Sequence, residues 1–237
     1  MRLAEALEAL LLAATEGNLA RSEALLDHSA PVDGAIEGDT ALIRAASAGH
    51  PQICRLLLDR GASVDIPSKH EKTPLMHACE GGHDEVAATL LEYTADANAA
   101  NKYGDTAMHF CAVGGHTAIA TLLIKRGARV DEADSEGHTP LIRAATFGHA
   151  KIAKLLLQSG ADVRGRSKKA ETALMFASRN NRLEVAAVLL EHGADKFAAN
   201  EQGQTAVDFA RRGEANEGDA STRGNPPNPL PHTVHCN

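Results

Sequence analysis

The stretch Gly-His-Thr-Pro-Leu-Ile-Arg-Ala-Ala-Thr-Phe-Gly-His, residues 137–149, contains the pattern on which the fold depends. Its threonine begins a short motif, Thr followed by Pro or Ala and then Leu or Met, and a Gly-His pair closes the stretch. Both features recur with a step of 33 residues, and a period held over five consecutive units indicates an internal repeat. The threonine recurs at Thr40, Thr73, Thr106, Thr139, Thr172 and finally Thr205, and the pair recurs at Gly49-His50, Gly82-His83, Gly115-His116 and Gly148-His149.

Each unit is predicted to form a helix, a turn, a second helix and an extended finger. The threonine side chain can cap the first helix, and a proline at the next position suits the first turn, where no N–H donor is needed. A pair of Leu or Ile residues closes the second helix, and the glycine that follows supplies the left-handed residue that ends it. One unit cannot cover its own apolar face, so neighbouring units must stack and stabilise one another.

The pattern G-x-T-P-L-x-x-A-A-x-x-G-H, followed by a second helix ending in Leu-Leu and then by Gly-Ala-Asp, resembles the ankyrin repeat over about residues 5–212. The resemblance implies an all-α solenoid of about seven units whose degenerate first and last units act as caps. Four prolines between residues 226 and 231, among Gly, Asn and Ser, predict that 213–237 is a disordered tail. The repeat domain, 1–212, divides into repeats at about 5–37, 38–70, 71–103, 104–136, 137–169 and 170–202 and a half-repeat at 203–212.

Three departures from the repeat pattern predict local irregularity. Thr94 stands where the other repeats have the glycine that ends the second helix, and a β-branched residue in a left-handed conformation costs roughly 1 kcal/mol or more. We therefore expect the third repeat to end differently or to be strained. Glu71 and Ala170 replace the glycine of the finger, which predicts an altered turn geometry at both positions.

Composition and charge argue against several classes of function. The chain of 237 residues has a formal net charge of −7, whereas a dedicated nucleic-acid binder needs a concentrated excess of Lys and Arg. No stretch approaches the ~20 apolar residues that span a bilayer. A signal peptide is the rival interpretation of the apolar run at 10–14, which is too short for one. We expect a chain that binds neither nucleic acid nor membrane and is monomeric by itself.

The cysteines favour a reducing compartment and argue against catalysis. Cys54, Cys79 and Cys111 lie in Ala/Leu-rich segments, where a thiol behaves as a small apolar side chain, and no CxxC spacing is present. With Cys236 they are interpreted as reduced, which predicts a cytoplasmic or nuclear location. Cys79 and Cys111 also fall at alanine positions of the inner helix, where thiols are buried and inert. We therefore expect no catalytic residue and no enzyme activity.

The histidines are interpreted as structural. Four of them share one position of the repeat, and a periodic histidine has a periodic cause. The resemblance implies that this side chain hydrogen-bonds backbone groups of the adjoining turn and that His109, at the family's T-P-L-H position, forms a hydrogen bond within its repeat. The periodic histidines are His50, His83, His116 and His149.

Metal and cofactor sites are not expected. His232, His235 and Cys236 could donate nitrogen and sulfur to zinc, but a structural zinc site needs four fixed ligands. The chain also lacks the glycine-rich motifs G-x-x-x-x-G-K-[ST] and G-x-G-x-x-G that hold nucleotides. We accordingly predict no metal and no cofactor.

The resemblance implies that partners are bound on the concave side, by fingers and inner helices. Residues that vary between repeats at these positions include four of the seven aromatic side chains, together with Arg and His, a composition typical of interface hot spots. The alternative is that Phe110 and Phe176 pack between helices. Lysines rim the patch and favour a partner that is acidic or of mixed charge. The predicted partner-binding residues are Arg44, Lys69, Lys72, His77, Lys102, Tyr103, Phe110, Arg143, Phe147, Lys168, Lys169, Phe176 and Arg179.

Several functions fit this pattern. The leading hypothesis is a non-catalytic protein–protein interaction module, acting as an adaptor, scaffold or regulatory subunit. The bare stack also resembles the ankyrin chaperones of proteasome assembly and the ankyrin inhibitors of kinases and transcription factors. A third alternative is an enzyme with an unrecognised site. Finally, Asn98 occupies the finger position that is hydroxylated in some ankyrin proteins, with Leu90 eight residues before it, so modification of this residue is a further hypothesis.

Overall fold

The computed structural model describes residues 3–217, which form a stack of helix pairs joined by extended fingers. Odd-numbered helices form an inner layer beside the fingers, and even-numbered helices form an outer layer. The helices are α1 Leu3–Glu16, α2 Leu19–Asp27, α3 Ala41–Ala48, α4 Pro51–Asp59, α5 Pro74–Gly81, α6 Asp84–Glu92, α7 Ala107–Gly114, α8 Thr117–Lys125, α9 Pro140–Phe147, α10 Ala150–Gln158, α11 Ala173–Arg179, α12 Leu183–Glu191 and α13 Ala206–Glu217. The first finger contains a short hairpin of β1, Ala35–Ile36, and β2, Asp39–Thr40.

From α3 onward, the repeat threonine immediately precedes each inner helix, as predicted. In α9 the Thr139 side chain accepts a hydrogen bond from the Ile142 backbone N–H at 3.3 Å, and Pro140 occupies the first turn. Thr40, Thr73 and Thr172 cap α3, α5 and α11 in the same way. These caps satisfy N–H groups that have no partner within the helix, so every unit starts at the same residue.

The core is one continuous apolar layer along the stack. Small residues such as Ala45, Ala78 and Ala144 are fully buried on the inner helices and let those helices approach closely. Leucines of the outer helices, including Leu57 and Leu90, close the layer from the other side. Each inner helix packs on the inner helices before and after it, so each repeat is stabilised mainly by its neighbours.

The predicted strain at Thr94 is present. Its backbone φ is 64°, within the same left-handed region as Gly61, Gly127 and Gly160, whose φ values are 86°, 84° and 93°. The third repeat therefore ends with the same geometry as its neighbours, and a β-branched side chain is forced into a conformation that glycine adopts freely.

The altered turns predicted at Glu71 and Ala170 are not observed. Their φ values of 59° and 58° remain left-handed, and each N–H still closes the finger turn, onto the carbonyl oxygens of Ser68 and Ser167. The backbone tolerates a side chain here because the turn hydrogen bond is retained. A glycine at this position has a different consequence, because it leaves room for the next finger: a Cβ at Gly137 would lie 2.7 Å from the Lys168 nitrogen.

Hydrogen bonds between successive fingers vary with this residue. After Gly104 and Gly137 the next finger approaches closely, with Ser135 N donating to Tyr103 O at 2.7 Å and Lys168 N to Glu136 O at 2.9 Å. After Ala170 the equivalent bond, Glu201 N to Lys169 O, lengthens to 3.3 Å, and after Glu71 no such bond forms among the described residues. No such bond follows Gly38 either, so the presence of the bond is not decided by this residue alone, and each turn is unchanged.

The C-terminal cap is longer than predicted. The half-repeat was expected to end at 212 and the disordered tail to begin at 213, but α13 continues to Glu217. Residues 214–217, Glu-Ala-Asn-Glu, contain helix formers and no proline, which explains why the helix propagates past Gly213. The rest of the predicted tail lies outside the described residues, as do Cys236 and the zinc ligands considered at His232 and His235.

Candidate protein-binding surface

The finger–helix surface is the side of the stack formed by the fingers and the inner helices. Each finger leads directly into an inner helix, so the residue before the repeat threonine faces residues on the first two turns of that helix. Asp39 thereby contacts Arg44 at 3.1 Å, and Lys72 contacts Glu80 at 2.8 Å. Glu171 and Arg179 form the equivalent ion pair in the sixth repeat. Charged side chains predicted to bind a partner are thus paired within the chain.

Arg143 has two acidic partners from consecutive fingers. Its guanidinium binds the carboxylate of Asp134 and lies 3.6 Å from that of Asp105. Asp134 is buried and also accepts the backbone N–H groups of Glu136 and His138 at 2.8 Å. Burial alone would raise the pKa of Asp134, but the hydrogen bonds from His138 and the charge of Arg143 outweigh burial and hold that pKa well below its usual range. Arg143 therefore links two repeats.

Phe110 is not an exposed hot-spot residue. Its side chain is only 6% exposed and packs in the apolar core, and Lys72 from the preceding finger covers its ring, with Nζ 4.8 Å from the ring centroid. The alternative that this residue packs between helices is correct. The physical reason is the long Lys72 stem, which shields apolar surface while its ammonium group remains bound to Glu80.

The other predicted aromatic residues lie at the surface to different extents. Phe176 is half-buried against the core, and its ring meets that of His138 edge to face with centroids 5.4 Å apart. Phe147 and Tyr103 are also half-buried, but neither belongs to the core cluster. Phe147 and Tyr103 are consequently the aromatic side chains best placed to contact a partner.

His77 is a polar group with an incomplete set of hydrogen bonds. It lies on α5 between Lys72 and Arg44, and its Nε2 is buried without a hydrogen-bond partner. Burial, followed by the charge of Lys72, lowers the pKa of His77 to about 4. The imidazole is therefore neutral near pH 7, and the positive charge anticipated for this patch does not come from His77.

Four lysines at the finger tips provide unpaired positive charge. Among the side chains that the structure describes, those of residues 3–212, no carboxylate lies within ion-pair distance of any of them, and all four are exposed. The ammonium group of one, Lys102, also lies 5.0 Å from the centroid of the Tyr103 ring. The surface therefore has two parts: a floor of finger and inner-helix residues whose charges pair with one another, and basic finger tips. The tip residues are Lys69, Lys102, Lys168 and Lys169.

The acidic partners on the floor were missing from the predicted binding residues. Asp39, Asp105 and Glu171 each stand one residue before a repeat threonine, and Asp134 stands five residues before one. A charge of opposite sign at the facing helix position, as with Asp39 and Arg44, was the signal that could have identified these pairs. Such pairs hold both side chains in one geometry, so the charges of these residues are already partnered within the chain.

The repeated histidines link neighbouring repeats. His83 and His149 place Nε2 at 3.0 and 2.8 Å from the carbonyl oxygens of Ser47 and Val113, which belong to the preceding unit. In the sixth repeat Arg182 takes this position, and its Nε donates to Thr146 O at 3.2 Å. His109 receives the Thr106 N–H on Nδ1 and places Nε2 3.0 Å from His138 O in the next finger. The structural interpretation is confirmed for His50, His83, His149 and His109, whereas the His116 side chain forms no such hydrogen bond among the described residues.

The described cysteines are unsuited to nucleophilic chemistry. Cys54, Cys79 and Cys111 are fully buried and unpaired. Burial raises the pKa of the Cys54 thiol to about 12 and raises that of Cys79 as well, which keeps both thiols protonated. Among residues 3–217, no group of three or more His, Cys, Asp and Glu side chains is arranged to hold a metal ion.

Asn98 performs a structural role between two repeats. Its Oδ1 accepts the Arg129 backbone N–H at 2.8 Å, and its Nδ2 donates to Gly127 O at 3.3 Å. The side chain is half-buried, and hydroxylation at this position remains a prediction.

Membrane insertion finds no support in the described helices, since none from α1 to α13 is both long and apolar enough to cross a bilayer.

Comparison with known proteins agrees with this architecture. A family model described as ankyrin repeats (3 copies) matches residues 2–68, 65–134, 95–167 and 123–200. The chain therefore belongs to the ankyrin repeat family, and its fold is an all-α ankyrin solenoid. Ankyrin repeats are generally protein–protein interaction modules. A search of curated protein sequences gave no match.

Two solved structures illustrate the similarity. The ankyrin repeat domain of Bcl-3, described as a unique member of the IkappaB protein family, is 30% identical, with a TM-score of 0.75 over 86% of this chain and 93% of that one. The human ASB11 ankyrin repeat domain is 29% identical, with a TM-score of 0.78 over 85% of this chain and 90% of that one. Both likenesses extend over most of the stack.

Proposed function

We propose that this chain is a non-catalytic adaptor or regulatory subunit that binds a protein partner on the finger–helix surface. The observation that carries the proposal is the contrast between the self-paired floor and the unpaired basic tips. The ion pairs of Arg44, Arg143 and Arg179 order the floor, so little side-chain entropy remains to be lost there on binding. The tip lysines supply the charge that a partner can neutralise.

The partner expected on this surface is a protein segment with acidic side chains and at least one apolar anchor. Acidic groups complement Lys102, Lys168 and Lys169, while the half-buried rings of Tyr103 and Phe147 offer apolar contact between them. The overall charge of −7 makes this basic rim a local feature that would orient an acidic partner toward the fingers. Nucleic acid is not the proposed ligand, and the chain is proposed to act as a monomer.

The narrower roles remain part of the proposal. An inhibitor or an assembly chaperone would use the same surface, and the similarity to the ankyrin domains of Bcl-3 and ASB11 concerns the scaffold. The buried, unpaired thiols favour a cytoplasmic or nuclear site of action. The alternative of an unrecognised catalytic site finds no support in the described residues. The buried thiol of Cys54 stays protonated, and no group of side chains there is arranged to hold a metal ion.

The proposal is tested by charge reversal on one repeat. Lys168→Glu with Lys169→Glu alters the finger tip, whereas Lys151→Glu with Lys154→Glu makes the same change of charge on the exposed side of α10. Proteins captured from lysate by the wild type would be quantified by mass spectrometry. We expect a partner whose capture falls severalfold with the finger variant and is unchanged with the α10 variant. Equal capture by both variants would contradict the proposed surface.

A further inference from the structure

The C-terminal end of the stack contains an apolar groove that is separate from the finger–helix surface. It lies between α12 and α13, above α11, and encloses about 280 Å³. Leu183, Ala186 and Leu190 line it from α12, and Val207 and Ala210 line it from α13. In each complete repeat an outer helix packs on its own inner helix and on the preceding outer helix. The groove is the place where an outer helix of the seventh unit would pack, and no described residue fills it.

The equivalents of Leu190 in earlier repeats are less exposed. Leu190 is 45% exposed, whereas Leu58 and Leu91 are 7% and 6% exposed, and Ile124 and Leu157 are half-buried. Leu183 is 74% exposed, at a position where Asp84 is exposed, Pro51 and Thr117 are half-buried and Ala150 is buried. In the second to fifth repeats, the outer helix of the following unit packs on the outer helix that carries these residues. The groove therefore presents an unfilled helix-packing surface of the kind that the solenoid buries elsewhere.

Phe197, next in sequence to the lining residue Lys196, is 70% exposed. Its equivalents in the second to fifth repeats are polar: Asp65, Asn98 and Asp131 accept a backbone N–H from the following unit, and Arg164 is exposed. At the end of the stack, a position that is polar in these four repeats carries an exposed aromatic ring. This exchange suits contact with an apolar partner better than contact with another finger.

Charge along the groove has one sign. Arg182 and Lys196 are the charged residues among those that line it, and no carboxylate is among them. The ammonium group of Lys196 lies 5.1 Å from the centroid of the Phe197 ring, at the edge of the apolar surface. A helix with an apolar stripe flanked by acidic residues would complement both the shape and the charge.

We propose that the α12–α13 groove binds an amphipathic helix of a partner protein, apolar on one face and flanked by acidic side chains, which takes the position of a seventh outer helix. The chain's own residues 218–237 are a poor source for such a helix, since four prolines lie between 226 and 231. This site is independent of the finger–helix surface, so variants at one leave the other intact.

A probe can be taken from the chain's own outer helices. Helix α6 has an apolar face of Val86, Leu90 and Leu91, and it has acidic residues at Asp84, Glu85 and Glu92. A fluorescent peptide of residues 82–95, stapled because short helices are marginal in water, would be titrated with the full chain and followed by anisotropy. The control peptide carries lysine in place of the three acidic residues. We expect the acidic peptide to bind and the lysine peptide to bind at least about tenfold more weakly.

Variants of the full chain locate the binding site. Leu183→Asp and Leu190→Asp should each weaken binding of the acidic peptide by about tenfold or more. The matched control is Leu12→Asp on α1 at the other end of the stack, where Leu12 is similarly exposed, and it should leave the affinity unchanged. Circular dichroism of each variant, recorded at the temperature of the binding experiment, verifies that the helices remain intact. This pattern would support the groove as a helix-binding site.

Other outcomes would overturn the proposal. Failure of the wild type to bind, or equal binding by all three leucine variants, would show that the groove is not the site. Binding that appears only after Leu230→Asp would identify residues 218–237 as the natural occupant. A wild-type dimer in sedimentation velocity that Leu190→Asp dissociates would identify a second copy as the occupant. Lys168→Glu with Lys169→Glu should not change peptide binding, which separates this test from that of the finger–helix surface.

Discussion

Thr94 carries backbone strain that a single substitution can relieve. Its φ of 64° is left-handed, and its equivalents in the other complete repeats are glycines with open space around a Cβ, such as Gly127. Thr94→Gly removes the steric cost but adds conformational entropy to the unfolded chain, so we expect a net stabilisation of about 0.5–1 kcal/mol. The shift of the urea midpoint measures it. The reverse change, Gly127→Thr, should lower the midpoint, and a lower midpoint for Thr94→Gly would refute the strain.

His77 makes stability depend on pH in a defined window. The pKa of this histidine falls from 6.5 to about 4 in the folded chain, because of burial and then the charge of Lys72. The unfolded chain binds more protons between these values, so stability falls as the pH decreases from about 6.5 to about 4 and is unaffected by this group at higher pH. Urea midpoints across this range should vary less with pH in His77→Gln than in the wild type. The control variant is His70→Gln, at an exposed histidine of the finger. If the urea midpoint of His77→Gln changed with pH as steeply as that of the wild type, the assignment to His77 would be contradicted.

Single residues differ in how far the sequence predicted them. The caps at the repeat threonines and the strain at Thr94 follow from a local pattern and one repeat of context, and the role of His109 was implied by the resemblance to ankyrin repeats. The burial of Phe110 does not, because it depends on where the Lys72 side chain of another repeat comes to rest. Periodicity indicates which position a residue occupies, and contacts between units decide how exposed it is.

At the scale of elements, backbone hydrogen bonds join some successive fingers and not others. Gly104 and Gly137 are followed by short bonds and Ala170 by a longer one, whereas Glu71 and Gly38 are followed by none among the described residues. The junction between the third and fourth fingers is therefore less tightly connected than that between the fifth and sixth. The turns could be predicted from the sequence, but the spacing between fingers could not.

A glycine with positive φ can avoid backbone strain, and it can also leave room for a neighbouring finger. Comparison of Gly137→Ala with Gly160→Ala separates these two effects. Both have positive φ, 80° and 93°, but a Cβ at Gly137 would lie 2.7 Å from Lys168 N, whereas a Cβ at Gly160 meets nothing within 4 Å. Both variants lose stability through backbone strain, and Gly137→Ala should lose about 1 kcal/mol more because the fingers must move apart. Thermal unfolding of the two variants measures the difference. Equal losses would show that finger spacing does not contribute to stability.

Across the whole molecule, the stack combines a continuous apolar core with two distinct surfaces. The finger–helix surface has paired charges on its floor and exposed lysines at its tips, while the C-terminal end presents an unfilled apolar groove. The 33-residue period predicted a stack of repeats, and the resemblance to ankyrin repeats implied the side on which partners are expected. The half-repeat predicted at 203–212 already implied that α13 has no outer helix beside it, but the groove also depends on how α12 and α13 pack on α11, which the period does not specify.

Hydrogen exchange on a complex with the captured partner tests the central claim most directly. Binding at the finger–helix surface should slow amide exchange in the fingers at 100–106, 133–139 and 166–172, and it should leave the outer helices α8 and α10 unchanged. Mass spectrometry of peptides from the free and bound chain provides the comparison. Protection confined to α8 and α10, with exchange in the fingers unaltered, would contradict the account.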